Sequence, residues 1–158
     1  MPRTIVLDTF PLSSAAKREP RPGASPTMLD DCYQWIKDCL QAGNRIVAPA
    51  MSYYETLREL ERLAAAAQIS RLRAFCGAVP DRYLSITDAD INTAAILWAQ
   101  ARNAGTPTSS ADALDGDVIL AAQALNMGVS ASEFVVATTN VAHLTQFVPC
   151  ELWTNIAP

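Results

Sequence analysis

Cationic and zinc-binding side chains are scarce in this chain. It holds two lysines, Lys17 and Lys37, and one histidine, His143. The four cysteines, Cys32, Cys39, Cys76 and Cys150, form no Cys-x-x-Cys pair, and His143 is not spaced to complete a zinc set with them. They are expected to be buried free thiols in a reducing compartment. A Ser-His-Asp or Cys-His site would need His143 as its base, and no Gly-x-Ser-x-Gly elbow is present. His143 is therefore expected to be structural, or to support another site residue. No apolar run approaches the ~20 residues of a membrane helix, and Asp8 interrupts the short apolar stretch near the start. These absences predict a cytoplasmic protein with no membrane association. There is no internal repeat and no low-complexity tract, so residues 1–158 read as one domain.

What is present is ordinary globular material, 50% hydrophobic and 18% charged. The net charge of −4 argues against broad electrostatic binding of nucleic acid, but it leaves room for a local site. Acids that hold a divalent cation count as negative in sequence and are neutralised when the site is loaded.

Short β-branched runs at 4–7, 45–48, 83–86 and 134–137 read as buried strands, with a last strand near 151–153. Helical patterns fill 28–42, 52–68, 69–76, the stretch from 87 or 88 to about 104, and 114–126, with a short turn at 140–144. Residues 114–126 are apolar nearly all round after Asp117 and should lie deep in the protein. Residues 11–27 hold four prolines, a glycine and three basic residues, and read as a long loop. Strands alternating with helices predict an α/β protein whose parallel sheet is covered on both faces. Such sheets bind ligands at the carboxyl ends of their strands.

Several acids fall at those ends. Asp8 directly follows the first strand, where a turn or cap aspartate is the competing reading. Ser52-Tyr53-Tyr54-Glu55 fits a capping box, yet Glu55 lies about 200° around the helix from Leu57, away from the apolar stripe. Asp115 and Asp117 open the buried helix; one suffices as an N-cap. Thr138-Thr139-Asn140 follows the fourth strand and can either cap a helix or orient a metal-bound water or a phosphate. Clustered carboxylates repel one another unless a cation lies between them. An all-oxygen set suits Mg²⁺ or Mn²⁺ rather than zinc, and such ions activate water against a phosphodiester.

Four segments together resemble the PIN-domain nucleases, including the toxin halves of VapBC-type toxin–antitoxin pairs. They are Ile5-Val6-Leu7-Asp8-Thr9, Val47-Ala48-Pro49 leading into Glu55-Thr56-Leu57-Arg58-Glu59-Leu60, Asp117-Val118-Ile119-Leu120-Ala121-Ala122, and Val136-Ala137-Thr138-Thr139-Asn140 followed by His143-Leu144 and Phe147. The resemblance implies a three-layer α/β/α fold and Mg²⁺- or Mn²⁺-dependent cleavage of single-stranded or structured RNA. It makes Asp8, Glu55 and Asp117 the metal-binding acids, with Thr9 in support. It also implies an antitoxin partner and a homodimer, for which Phe75, Val79 and Trp98 offer apolar surface. The family often carries a fourth acid after strand four, where this chain has Asn140; Asp115 would partly replace its charge.

Two alternatives stand beside this reading. Haloacid dehalogenase-like phosphatases and response-regulator receivers also carry an aspartate after strand one. The phosphatases expect Asp-x-Asp, where this chain has Phe10, and both expect a later lysine, where none follows Lys37. The other alternative is a PIN-like module that has lost catalysis and only binds RNA or a protein, which the Asn140 departure keeps open.

Overall fold

The computed structural model describes residues 2–18 and 21–158. Five strands form one sheet in the order β3-β2-β1-β4-β5: β1 (Thr4–Leu7), β2 (Arg45–Pro49), β3 (Tyr83–Leu84), β4 (Phe134–Thr138) and β5 (Cys150–Leu152). Every pairing is parallel, with Val6 opposite both Val47 and Val136. Among the described residues, the α-helices are α1 (Thr9–Ala15), α2 (Met28–Gln41), α3 (Ala50–Arg62), α4 (Ala66–Gly77), α5 (Asp88–Asn103), α6 (Gly116–Asn126) and α7 (Val141–Leu144).

The strand side chains alternate between two cores, as a pleated strand requires. Ile5, Leu7, Ile46, Ala48, Val135 and Ala137 pack on one face against Leu12, Cys32, Ile36, Cys39, Leu72 and Trp153. Val6, Val47, Phe134 and Val136 pack on the other against Met51, Leu120, Ala121, Ala124 and Leu144. Helix α5 lies outside α6, with Ala94 meeting Val118 and Ala122. The result is the three-layer α/β/α arrangement with a parallel centre that the alternating pattern implies. The 114–126 pattern also holds in substance, since Val118, Leu120, Ala121, Ala122, Gln123 and Ala124 are all buried.

Three local expectations are corrected. Residues 11–27 are not all loop, because Thr9–Ala15 forms α1 with Asp8 as its N-cap. Pro11 sits in the first turn, where its missing N–H removes no intrahelical bond, and Leu12 anchors the helix in the core. Residues 52–68 are not one helix. Ala64 adopts φ +51, which ends α3 and lets α4 start in a new direction. The capping box at Ser52 does not form. Helix α3 begins at Ala50 with Pro49 as N-cap, so Ser52 lies inside it with a buried, unpartnered hydroxyl. Helices α2 and α5 do open with such boxes, Thr27 with Asp30 and Thr87 with Asp90.

Cys32, Cys39 and Cys76 are buried free thiols, as their apolar settings suggested; Cys150 is half-buried. Burial pushes the three buried thiols up to about 12, 11 and 11 respectively. Among the described residues, no helix is long and apolar enough to cross a membrane.

Candidate functional site

The chain crosses from the β3 side of the sheet to β4 beside β1, so the topological switch point lies between β1 and β4. Open parallel sheets leave a crevice beyond the strand ends at such a point. Strand β1 runs directly into Asp8 there, and β4 ends on Thr138. The Thr138 hydroxyl donates to Asp8 Oδ2 at 2.7 Å and accepts from the Asn140 amide at 2.9 Å. Asp8 Oδ1 accepts from the Thr9 amide at 2.7 Å. The carboxylate is thereby held in one orientation by the strand on one side and α1 on the other.

Asp8, Thr9, Glu55, Asp117 and Thr139 line one cavity of about 450 Å³, whose wall is completed by Phe10, Ser13, Thr56, Glu59 and Leu60. Glu55 comes from the second turn of α3 and Asp117 from the first turn of α6. Gln123 joins these two helices. Its side-chain oxygen accepts from the Met51 amide at 3.1 Å, and its nitrogen donates to the Leu84 carbonyl at 2.8 Å. Met51 lies in the first turn of α3, where amides lack intrahelical acceptors, so a residue 72 positions away satisfies it. Gln123 thus fixes the spacing on which the meeting of Glu55 and Asp117 depends. Its signal in the sequence was a lone amide inside an otherwise apolar helix, since a fully buried polar group must find partners.

The pocket disfavours its own charges. Glu55 is pushed above the usual carboxylate range by burial first and then by Asp8 and Asp117, with Arg58 opposing at 3.6 Å. Asp117 is pushed up by burial, then by Asp8, with Asp115 adding a smaller share. His143 Nδ1, 3.2 Å from Asp117 Oδ2, draws that value back down. The lone histidine therefore stands at the edge of the pocket, touching an acid. The Thr9 hydroxyl oxygen is shielded from solvent and makes no well-formed hydrogen bond, though it lies close enough to Glu55 to ease its charge.

Asp115 and Asn140 are placed differently. Asp115 is the N-cap of α6; Oδ1 accepts from the Asp117 amide at 3.1 Å and the Val118 amide at 3.4 Å, and Oδ2 accepts from the Thr108 hydroxyl at 2.5 Å. Asn140 is exposed and lines a neighbouring hollow with Cys150 and Glu151, not the acidic cavity.

Carboxylates with one unpartnered hydroxyl are the donor chemistry of a hard divalent cation. Among the described residues, however, no three of His, Cys, Asp and Glu are drawn together tightly enough to enclose an ion. The donor types fit a cation; closing on one requires side-chain movement.

No protein-family model and no curated protein sequence matches the chain. Solved structures do. A chain of the DNA-bound VapBC from Salmonella typhimurium aligns at a TM-score of 0.67 and 17% identity, covering 97% of this chain and 99% of that one. A chain of VapBC2 from Rickettsia felis, bound to a DNA fragment from its promoter, gives 0.66 at 15% identity, covering 95% and 98%. FitAcB from Neisseria gonorrhoeae gives 0.62 at 15%, covering 96% and 99%. At such identities the likeness is one of fold: over 95–97% of its length this chain shares the α/β fold of chains in those complexes.

Proposed function

We propose that this protein is a Mg²⁺- or Mn²⁺-dependent endoribonuclease, acting as the toxin of a toxin–antitoxin pair. The observation that carries the reading is the meeting of Asp8, Glu55 and Asp117, from three separate elements, in one cavity at the switch point of a parallel sheet. Mutual repulsion with no structural return is what a carboxylate site shows before its cation arrives. Asp8, Asp117 and Glu55 would hold the ion, with the Thr9 hydroxyl as a neutral donor. When bound, a divalent ion supplies a water of lowered pKa and charge to offset that developing on the phosphodiester.

The chain's own residues supply the frame. Thr138 and the Thr9 amide orient Asp8. Gln123 ties α3 to α6. His143 steadies Asp117 from outside, and Arg58 beside Glu55 offers a cation to an RNA phosphate at the cavity edge. Asp115, tied up as a cap, adds to the negative field rather than binding directly.

The fold shared with VapBC chains supports an antitoxin partner. Exposed apolar residues, Ile91 and Ile96 on α5 and Val79 after α4, support self-association as a homodimer. Phe75 and Trp98 are half-buried, each under an arginine guanidinium, and offer less. Free buried thiols fit a reducing cytoplasm.

The test is incubation of mixed RNA with the protein in Mn²⁺, in chelator, and with Asp8→Asn. Cleavage confined to the first supports the reading. RNA bound but uncut by the Mn²⁺-loaded wild type replaces it with the non-catalytic module, which the Asn140 departure favours.

A further inference from the structure

Gly116 stands at the first position of α6, between the capping Asp115 and the pocket acid Asp117. Glycine is among the weakest helix formers, and the rest of this helix draws on good ones such as Leu120, Ala121 and Ala122. Nor does the backbone call for it. Gly43 and Gly105 have positive φ where α2 and α5 end, but Gly116 does not. The reason lies in the space a side chain would occupy. A β-carbon on residue 116 would lie 2.8 Å from Glu55 Oε1, 3.5 Å from Glu55 Cδ and 3.1 Å from Met51 Cε. Real β-carbons essentially never lie within 3.0 Å of another heavy atom, so the first contact cannot stand and the end of the Glu55 side chain must shift.

We propose that Gly116 is a positioning residue for Glu55: its missing side chain is the seat of the Glu55 carboxylate, which rests against the first turn of α6 inside the acidic cavity. Two further features make the seat specific. The amides of Asp117 and Val118 are already taken by Asp115, so Glu55 lies there as a lodged carboxylate and not as the cap. Gln123 also keeps α3 and α6 at fixed spacing. The atoms that alanine would crowd are the ends of two flexible side chains, so the Glu55 carboxylate and the thioether of Met51 yield before the helices part.

The proposal rests on the metal-site reading only for what the pocket does with the carboxylate, and the test separates the two. Mn²⁺ affinity is measured for the wild type, Gly116→Ala, Glu55→Asp and the double variant, together with the melting temperature of each metal-free protein. The expected result is that Gly116→Ala weakens Mn²⁺ binding by roughly 10–100-fold. Its metal-free melting temperature stays close to the wild type. In the Glu55→Asp background, whose shorter side chain clears the new methyl, the same change costs much less. Wild-type affinity in Gly116→Ala, or an equal loss in both backgrounds, overturns the proposal. If the wild type binds no Mn²⁺, the metal-site reading fails instead, and a metal-free crystal structure of Gly116→Ala decides the positioning claim. A Glu55 carboxylate displaced from its seat upholds it, and one that has not moved overturns it.

Discussion

The first turns of α2 and α5 and the cavity at the end of β1 both gather acids, and they treat them in opposite ways. At the start of α2, Asp30 accepts from the Thr27 amide at 2.6 Å and pairs with Lys17 at 3.0 Å. These donors, the backbone first and then Lys17, hold its carboxyl down at about 2. At the start of α5, Asp90 accepts from the Thr87 amide and from Asn126. In the cavity, Glu55 and Asp117 face burial and each other's neighbours, and both are pushed the other way. The same residue types thus stabilise the fold where the backbone supplies donors and strain it where they are left to repel. Stability is given up in the cavity and gained at the caps, and the cavity is where the proposed cation would relieve the repulsion.

The sharpest way to break this comparison is to neutralise an acid in each region. In the cavity, Asp117→Asn or Glu55→Gln is expected to lower Mn²⁺-dependent RNA cleavage by roughly 100-fold or more, since each removes a charge from the proposed metal site. Glu55→Gln should also raise the metal-free melting temperature at neutral pH. Its folded value is raised, so the native state holds its proton to higher pH than the unfolded chain, and stability falls as pH rises through that window. Glutamine removes the fall, and the advantage should vanish below the ordinary carboxylate range. Millimolar Mn²⁺ should raise the melting temperature of the wild type and much less that of Glu55→Gln. A thermal series across pH, with and without Mn²⁺, reads all of this. A Glu55→Gln protein that melts lower at pH 7 would remove the distinction between the regions.

A smaller effect is expected from Thr138→Val, which leaves every acid in place but frees Asp8. The buried hydroxyl is the strand's hold on Asp8 Oδ2 and the acceptor for the Asn140 amide. Its loss should lower cleavage about 10-fold and stability by about 1–3 kcal/mol. Unchanged cleavage rates at saturating Mn²⁺ would show that Asp8 needs no such support.

At the caps the sign reverses. Thr27→Ala should cost ~1 kcal/mol in denaturant unfolding and leave cleavage untouched. Asp30→Asn should also destabilise at neutral pH. Because its folded value is depressed, the contribution of Asp30 is present above the unfolded value and is lost as pH falls toward about 2. Cap variants that gain stability at pH 7 would contradict the assignment of these acids to structure.

Much of this arrangement was legible in the chain itself, for reasons tied to local chemistry. β1, β2 and β4 are short runs of β-branched residues; Asp8 directly follows β1, and β2 and β4 end on Pro49 and Thr138, so the strand ends and the residues that mark them could be read together. The all-round apolar character of α6 marked it as central. What escaped depends on partners far along the chain. Helix α3 starts three residues before the Ser-x-x-Glu pattern suggests, because Gln123 satisfies Met51 from across the fold. Helix α1 was hidden by a proline-rich stretch whose first proline happens to sit in a first turn. The seat of Glu55 on Gly116 joins residues 61 positions apart, and no local pattern signals it.

The smallest expected effect separates two neighbouring acids. Asp115 and Asp117 lie on the same turn, and both raise the negative charge of the cavity. Their bonds differ. Asp115 is buried and accepts from two amides and a hydroxyl, whereas Asp117 lines the cavity and meets only His143 at 3.2 Å among the described residues. Asparagine caps a helix about as well as aspartate, so Asp115→Asn keeps the acceptor for the Asp117 and Val118 amides. Thr108 must turn its hydroxyl to accept from the new amide, and one charge leaves the pocket's surroundings. The expected cost is a few tenths to ~1 kcal/mol of stability and less than about 10-fold in cleavage, with a weaker Mn²⁺ dependence. Cleavage rate against Mn²⁺ concentration for Asp115→Asn and Asp117→Asn gives the answer directly. An inactive Asp115→Asn beside an active Asp117→Asn would turn the site half a turn around α6, and would make the cap acid the ligand.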